Sequence, residues 1–194
     1  MIQKPAENLL VVGGSAGSLP IIMSLIENLP DGFNWPVIVV LHRLKNVNSE
    51  LVKLLAGVKN GRRVCEPEDK TQLRDKYIYL APQNYHVLLE ADKTISLDYS
   101  EPVHFSRPSI DVTFEAAAHV YGNKAAGILL SGANNDGAYG LEQIWRAGGS
   151  VAVQDPETCE YAAMPLAAIH RIREVLILQP AVLALFLENL LLNK

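Results

Sequence analysis

A serine in a glycine-rich segment is the residue of this chain best suited to nucleophilic chemistry. Residues 13–17 read GGSAG, so Ser15 stands in a G-x-S-x-G pattern directly after the apolar run of residues 9–12. Glycine tolerates backbone angles that a Cβ forbids, so a strand can turn sharply into a helix there. Such a turn lifts the serine Oγ beside helix N–H groups that can hold an oxyanion. The segment predicts a serine nucleophile; a glycine turn that cradles a phosphate is the alternative.

A histidine and a carboxylate follow two other apolar runs. His42 comes directly after residues 37–41, and Asp136 lies in the segment SGANNDGA that follows residues 126–130. In open parallel sheets, ligands bind beyond the carboxyl ends of the strands, so these side chains are predicted at one edge with Ser15. A serine hydrolase needs these three types, because the histidine accepts the hydroxyl proton and the carboxylate orients the imidazole. Taken singly, His42 also fits a structural role, and Asp136 also fits a helix cap.

The elements that must position these residues alternate along the chain. Strands are predicted at residues 9–12, 37–41, 77–80, 126–130, 150–153 and 175–178, and helices at 19–29, 49–55, 109–121, 138–147, 162–171 and 181–192. Strands that are apolar throughout are buried on both faces, which is typical of parallel sheets covered by helices. Residues 85–90 and 94–99 predict an inserted hairpin. We therefore predict an α/β fold: a three-layer α/β/α sandwich whose mostly parallel sheet is doubly wound (Rossmann-like), with an inserted β-hairpin.

Composition narrows the class of protein. The chain has 194 residues, of which 49% are hydrophobic, and this favours a single domain over residues 1–194. A net charge of −4 argues against a broad nucleic-acid-binding surface. Cys65 and Cys159 lie far apart without metal-ligand spacing, as expected for reduced thiols in a cytoplasmic protein. The N-terminus lacks a signal peptide, and the apolar tail is interrupted by Pro180 and Glu188, so no direct membrane insertion is expected.

Six segments resemble a known family, in order and over nearly the whole chain. They are VGGSAG (12–17), VLH (40–42), YLAP (79–82), RPSIDV (107–112), LSGANNDGA (130–138) and AMPLAAI (163–169). The chain resembles the catalytic domain of the chemotaxis receptor methylesterases, the CheB family of protein-glutamate methylesterases and glutamine deamidases. The resemblance implies that Ser15 is the nucleophile, His42 the base and Asp136 the orienting acid. The resemblance also implies that the partners are methyl-accepting chemotaxis receptors. The implied reaction requires no cofactor.

Further residues acquire expected roles from this chemistry. Backbone N–H groups near Ala16 and Ala133 are expected to stabilise the tetrahedral oxyanion. Arg107, at the entry to a helix beside the predicted edge, is a candidate substrate-binding residue; pairing with a nearby acid is the equal alternative. The chain shows no zinc-like spacing of ligands, so no catalytic metal is expected. His86, His104, His119 and His170 are each interpreted as structural or surface residues.

The chain departs from the family pattern at several places. Ser18 stands where the family usually has glycine, Ala133 where it often has methionine, and Ala16 where some members have threonine. Family members of the best-known type carry an upstream receiver domain, whereas only about eight residues precede the first predicted strand here. We therefore expect the Ser15 edge to be open and the protein to act without a phosphodonor. Control by a separate regulatory protein is the alternative.

Other functions remain open at this stage. An ordinary α/β-hydrolase acting on small esters would use the chain order Ser15, Asp136, His170, but its nucleophile would then follow the very first strand. A nucleotide-binding module would use the glycine turn for phosphate, although the chain has neither a full G-x-G-x-x-G nor a P-loop lysine. An inactive copy of the esterase, acting as a signalling or binding module, is the third alternative.

Overall fold

The fold is known from a computed structural model that describes residues 5–43, 50–58 and 61–192. The strands in these residues are β1 (Leu9–Gly14), β2 (Val37–Leu41), β3 (Arg63–Cys65), β4 (Tyr77–Leu80), β5 (His86–Leu89), β6 (Ile95–Asp98), β7 (Ala125–Leu129), β8 (Ser150–Gln154) and β9 (Leu176–Leu178). The α-helices are α1 (Leu19–Glu27), α2 (Leu51–Ala56), α3 (Ile110–Tyr121), α4 (Ala138–Arg146), α5 (Ala163–Arg171) and α6 (Leu183–Leu192). Short 3₁₀ turns lie at Gly122–Lys124, Pro156–Thr158 and Pro180–Val182.

Seven of the strands form one parallel sheet in the order β3-β4-β2-β1-β7-β8-β9. Strand β1 is central and pairs with β2 on one side and β7 on the other. Gly14 is in register with Leu41, and Gly13 with Leu129. The residues that follow β1, β2 and β7 therefore emerge side by side at one edge of the sheet.

Helices cover both faces of this sheet. Side chains alternate along β1, so Leu9 and Val11 pack on one face while Leu10 and Val12 pack on the other. The first face carries α3, α4 and α5, and the second carries α1, α2 and α6. All of β1, β2 and β7 is buried, as continuous apolar strands require. The three-layer, doubly wound sandwich predicted from the sequence is thereby confirmed.

The predicted hairpin is also present. Strands β5 and β6 pair antiparallel as a separate two-stranded sheet, with His86 opposite Asp98. Val87 and Ile95 join the core of the first face. The Thr113 hydroxyl of α3 donates a hydrogen bond of 3.0 Å to the Val87 carbonyl. The hairpin is thus attached to the first turns of α3, which also contribute to the candidate site described below.

The structure differs from the predicted elements mainly at short or terminal segments. Strand β3 was not predicted because it is three residues long, lies at the edge of the sheet and begins with the exposed Arg63. The second helix begins at Leu51, and position 49 of its predicted span lies outside the described residues. The last helix begins at Leu183, because Pro180 opens a 3₁₀ turn instead. None of the helices in the described residues is both long enough and apolar enough to cross a membrane.

Candidate active site

Ser15 lies in a tightly held turn between β1 and α1. Its backbone N–H donates a 2.9 Å hydrogen bond to the Ser131 carbonyl, and its own carbonyl accepts from the Ser18 hydroxyl at 2.6 Å. Gly17 has a φ of +80°, and a Cβ there would come within 2.5 Å of the Glu160 Cβ. This position therefore requires glycine. Ser18, the departure from the family glycine, is fully buried and fastens the turn that presents Ser15.

His42 emerges from the neighbouring strand. Its backbone N–H bonds to the Gly14 carbonyl at 3.2 Å, which places it beside the Ser15 turn. Its imidazole Nε2 lies 2.8 Å from the Asp136 Oδ2, and the side chain is only 13% exposed. The sheet register therefore brings the predicted base next to both other predicted residues.

Asp136 is fully buried, and the first turn of α3 binds its carboxylate. Oδ1 accepts hydrogen bonds from the Ser109 hydroxyl at 2.8 Å and the Asp111 N–H at 3.0 Å, and Oδ2 accepts from the Ile110 N–H at 2.8 Å. Burial alone would raise the pKa of Asp136, but the bonds from His42, from the two backbone N–H groups and from Ser109 outweigh it and lower this pKa. The carboxylate is therefore held ionised. The Asp136 side chain therefore does not cap α4, which was the structural alternative.

An ionised Asp136 sets the tautomer of His42. A carboxylate only accepts hydrogen bonds, so Nε2 carries the proton and Nδ1 keeps its lone pair. Nδ1 lies 3.4 Å from the Ser106 hydroxyl, which can donate to it. No hydrogen bond joins the Ser15 Oγ to His42 among the described residues. The basic nitrogen therefore has the Ser106 hydroxyl as its neighbour.

Two backbone N–H groups beside Ser15 are free to bind an anion. The N–H groups of Ala16 and Ala133 donate to no acceptor in the described part of the chain, and both residues are exposed. The Ala16 N–H belongs to the Ser15–Ala16 peptide, whose carbonyl accepts from the Ser18 hydroxyl at 2.6 Å. The Ala133 N–H belongs to the Gly132–Ala133 peptide, whose carbonyl accepts from the Met164 N–H at 3.2 Å. Both peptides are thereby fixed in place before any ligand binds, as an oxyanion hole requires.

Comparison with known proteins identifies the family. The family model described as CheB methylesterase matches residues 10–187. The chain belongs to the CheB methylesterase family. This confirms the family resemblance found in the sequence and, with it, the expectation of a hydrolase.

Individual relatives give the same picture. A Leptospira interrogans protein, provisionally named a protein-glutamate methylesterase/protein-glutamine glutaminase, is 43% identical over 160 residues, which is 82% of each chain. The Thermotoga maritima protein-glutamate methylesterase/protein-glutamine glutaminase is 32% identical over 87% of this chain and 50% of its own length. The chain thus spans about half of that relative. The crystal structure of the Thermotoga maritima CheB methylesterase catalytic domain superposes with a TM-score of 0.89 at 29% identity, covering 95% of this chain and 99% of that one.

Arg107 lies between the CheB-like site and the hairpin. Its Nη1 donates to the Tyr99 carbonyl at 3.1 Å and to the Ser100 carbonyl at 2.6 Å. Its guanidinium also lies 3.9 Å from the centre of the Tyr99 ring. No carboxylate pairs with Arg107 among the described residues, so the alternative of a surface ion pair does not apply. The side chain supports the loop that enters α3 while keeping its positive charge uncompensated.

His86 is the functional contact that sequence reasoning missed. It is buried on β5, where its Nδ1 accepts from the Ser109 N–H at 3.1 Å and its Nε2 lies 3.1 Å from the Glu101 carbonyl. Because Ser109 in turn bonds to Asp136, this histidine supports the carboxylate through one intermediate residue. His86 is thus structural, as expected, and the residue that it holds, Ser109, is bonded to Asp136 of the candidate site. The sequence placed His86 on the predicted hairpin, but a position on a hairpin does not indicate which residue of another element the side chain contacts.

A second histidine–aspartate pair lies at the first turn of α3. Its aspartate, Asp111, belongs to the helix, and its histidine, His104, belongs to the loop before it. His104 Nε2 is 3.2 Å from the Oδ2 of Asp111, and the Oδ1 of Asp111 accepts from the Gly140 N–H at 2.7 Å. Burial raises the pKa of Asp111; the Gly140 N–H opposes this rise, and the charge of Asp136 adds to it. The sequence contained no signal for this contact between Asp111 and His104.

The ordinary hydrolase order is wrong for this fold. His170 is exposed on α5, and the imidazole bonded to Asp136 is that of His42. His119 is exposed on α3, in agreement with a surface role. Cys159 is not a competing nucleophile, because burial raises the pKa of its thiol to about 11.

Proposed function

We propose that this chain hydrolyses glutamate methyl esters on methyl-accepting chemotaxis receptors, with Ser15, His42 and Asp136 as catalytic residues. The observation that carries the proposal is the 2.8 Å contact between His42 Nε2 and Asp136, which leaves Nδ1 as the basic nitrogen of a residue whose backbone N–H bonds to the Gly14 carbonyl, next to Ser15. The names of the relatives support the choice of a protein glutamate ester, and they extend it to deamidation of glutamine. A cytoplasmic location is part of the same proposal.

In the first half of the reaction, the Ser15 Oγ attacks the γ-carbonyl carbon of the ester. Nδ1 of His42 takes the hydroxyl proton, so the imidazole becomes an imidazolium that the Asp136 carboxylate stabilises. The tetrahedral intermediate collapses by breaking the bond to the methoxy oxygen. Nδ1 returns the proton to that oxygen, and methanol leaves. With glutamine, the same proton goes to nitrogen, and ammonia leaves.

In the second half, water attacks the glutamyl ester of Ser15. Nδ1 of His42 removes a proton from the water, and the second tetrahedral intermediate releases the serine oxygen, which recovers its proton from Nδ1. The products are a free glutamate side chain and the original enzyme. For the serine to reach Nδ1, its side chain must replace the Ser106 hydroxyl as the neighbour of that nitrogen, since this hydroxyl lies 3.4 Å away in the free protein.

The negative charge of both intermediates falls on the former carbonyl oxygen. We assign the N–H groups of Ala16 and Ala133 as its donors, because both are free and the carbonyl of each of their peptides accepts a hydrogen bond that holds it. One such donor contributes about 3 kcal/mol to the transition state in other serine hydrolases. Only the backbone acts here, so alanine at these positions is compatible with the role.

The remaining assignments rest on charge and coverage. Arg107 is proposed as a substrate-binding residue, because its unpaired positive charge suits a polypeptide rich in glutamate. Residues 1–194 are proposed to act as one catalytic domain, a view supported by a family match over residues 10–187. Neither assignment requires a cofactor.

Methanol release tests the proposal directly. A chemoreceptor fragment carrying labelled methyl esters is incubated with the wild type, with Ser15→Ala and with Ser24→Ala. Ser24 is an exposed serine on α1, so Ser24→Ala controls for the loss of a hydroxyl elsewhere. We expect release by the wild type and Ser24→Ala, and none above background by Ser15→Ala. Equal release by all three would refute the role of Ser15.

A second readout separates the proposal from its alternatives. A small fluorophosphonate reacts with an activated serine whatever the natural substrate is. Labelling of Ser15 without methanol release would indicate an esterase for small molecules. The absence of both would indicate an inactive copy.

A further inference from the structure

The loop that follows the hairpin ends in a tight turn with unusual backbone angles. The N–H of Val103 bonds to the Ser106 carbonyl at 3.1 Å, and the N–H of Ser106 bonds to the Val103 carbonyl at 2.9 Å. The two residues between them, His104 and Phe105, have φ values of +48° and +61°. Positive φ at both central positions is the pattern of a type I′ turn, which prefers asparagine and glycine.

Phe105 does not stabilise the fold at this position. Its side chain is 99% exposed, so it contributes nothing to the core. A phenylalanine with positive φ is also sterically strained, because its Cβ lies close to the backbone in the left-handed region. Both features oppose folding, and such strain occurs most often at functional sites.

The turn is anchored to the candidate site on both sides of Phe105. His104 contacts the buried Asp111 at 3.2 Å, and the Ser106 hydroxyl lies 3.4 Å from Nδ1 of His42. Phe105 therefore points into solvent from a turn whose next residue, Ser106, lies against the imidazole of His42. A second exposed aromatic residue, Tyr99, is 66% exposed and packs against the Arg107 guanidinium two residues after Phe105.

We infer that Phe105 contacts the substrate, by packing against an apolar side chain of the polypeptide that flanks the reacting glutamyl ester. This inference rests on the proposed function. A fully exposed side chain cannot line an enclosed pocket, so only a partner that itself covers the surface can bury it. The unpaired charge of Arg107 next to this turn suits the acidic residues of the same polypeptide.

The variant Phe105→Gly gives a sharp test, because glycine is the residue that this backbone prefers. The turn should remain, and the free energy of unfolding should not fall. For the labelled chemoreceptor fragment, we expect KM to rise about tenfold with kcat nearly unchanged, since the contact binds substrate and transition state alike. Labelling of Ser15 by a small fluorophosphonate should keep the wild-type rate, because this probe carries no polypeptide. Phe105→Leu should restore most of the loss in KM.

Lys76→Gly is the matched control. Lys76 is exposed with a φ of +62°, but it precedes β4 at the opposite end of the strands. Its KM should equal that of the wild type. An unchanged KM in Phe105→Gly would overturn the inference, and so would slower fluorophosphonate labelling, which would show that Phe105 supports the site itself. If the wild type releases no methanol, the proposed function fails and the inference with it; a normal wild type with a normal Phe105→Gly overturns only the inference.

Discussion

Two histidine–aspartate pairs share the N-terminal turn of α3, and they differ in how the carboxylate is held. Asp136 accepts four hydrogen bonds, from His42, Ser109, Ile110 and Asp111, and its pKa is lowered. Asp111 accepts from Gly140 and faces the more exposed His104, and burial raises its pKa. Both aspartates are buried, so depth alone does not distinguish them.

The difference lies in where each carboxylate stands relative to the helix. Asp136 comes from a loop and approaches the helix end on, so its oxygens accept the free N–H groups of the first turn. Those N–H groups and the helix dipole favour negative charge. Asp111 is part of the helix, and its carboxylate must find donors elsewhere. The ionised form is therefore favoured at Asp136 and disfavoured at Asp111, and Asp136 is the better partner for a catalytic histidine.

The largest effect should come from removing the histidine of the first pair. His42→Ala should lower methanol release by about 10⁴-fold, because the reaction loses its general base. His104→Ala should lower it only a few-fold. His170→Ala serves as the control, because this residue lies on α5. Strong loss in His170→Ala with an active His42→Ala would reverse the assignment.

Removing the charge of Asp136 should have the next largest effect. Asp136→Asn should lower kcat by about 10³-fold with little change in KM, because it disturbs the tautomer of His42 but not the shape of the site.

The same substitution, Asp136→Asn, should also lower the stability of the fold. Each carboxylate oxygen accepts at least one backbone N–H, so an amide in either orientation sets a donor against a donor. We expect a loss of about 2 kcal/mol in the free energy of unfolding. Activity close to wild type in a folded Asp136→Asn would remove Asp136 from the mechanism.

A smaller effect is expected from the support behind Asp136. His86→Leu removes the acceptor for the Ser109 N–H and should lower kcat about tenfold at unchanged KM, in the range that metal and catalytic sites show on loss of a supporting partner. His86→Asn places an oxygen near the position of Nδ1 and should recover most of kcat. His119→Gln, a change at an exposed histidine of α3, is the control. A fall in stability without recovery of kcat by asparagine would show that His86 serves only the fold.

The smallest effect should appear in the pH dependence of stability, with opposite signs for the two aspartates. The pKa of Asp136 is lowered by folding, so its contribution is present above the unfolded value and is lost as pH falls through the folded value. The pKa of Asp111 is raised, so ionised Asp111 destabilises the fold as pH rises through that higher value.

Denaturant titrations at several pH values test this difference. From pH 3 to pH 7, the stability of Asp111→Asn relative to wild type should increase, by about 1 kcal/mol or less, while that of Asp136→Asn should decrease. Equal slopes for the two variants would show that the carboxylates are held alike.

The parallel sheet, its flanking helices and the hairpin could be predicted from the sequence, since each is written in local patterns. Strands β1, β2 and β7 are continuous apolar runs, and such runs bury on both faces wherever they lie. A second rule, that ligands bind beyond the carboxyl ends of parallel strands, places Ser15, His42 and Asp136 at one edge of the sheet. Strand β3 was missed because Arg63 breaks its short pattern and its strand character comes only from pairing with β4.

The contacts that distinguish the two pairs were decided by the tertiary structure alone. The sequence alone dictates the glycine turn at Ser15 and the order of the elements, because backbone sterics and apolar periodicity act over a few residues. It contained no signal that the Asp136 carboxylate would cap α3 instead of α4, that His86 would bond to Ser109 from the hairpin, or that Ser106 would lie against His42. Each of these contacts joins residues at least 20 positions apart, and only packing of the helices on the sheet brings such residues within hydrogen-bond distance.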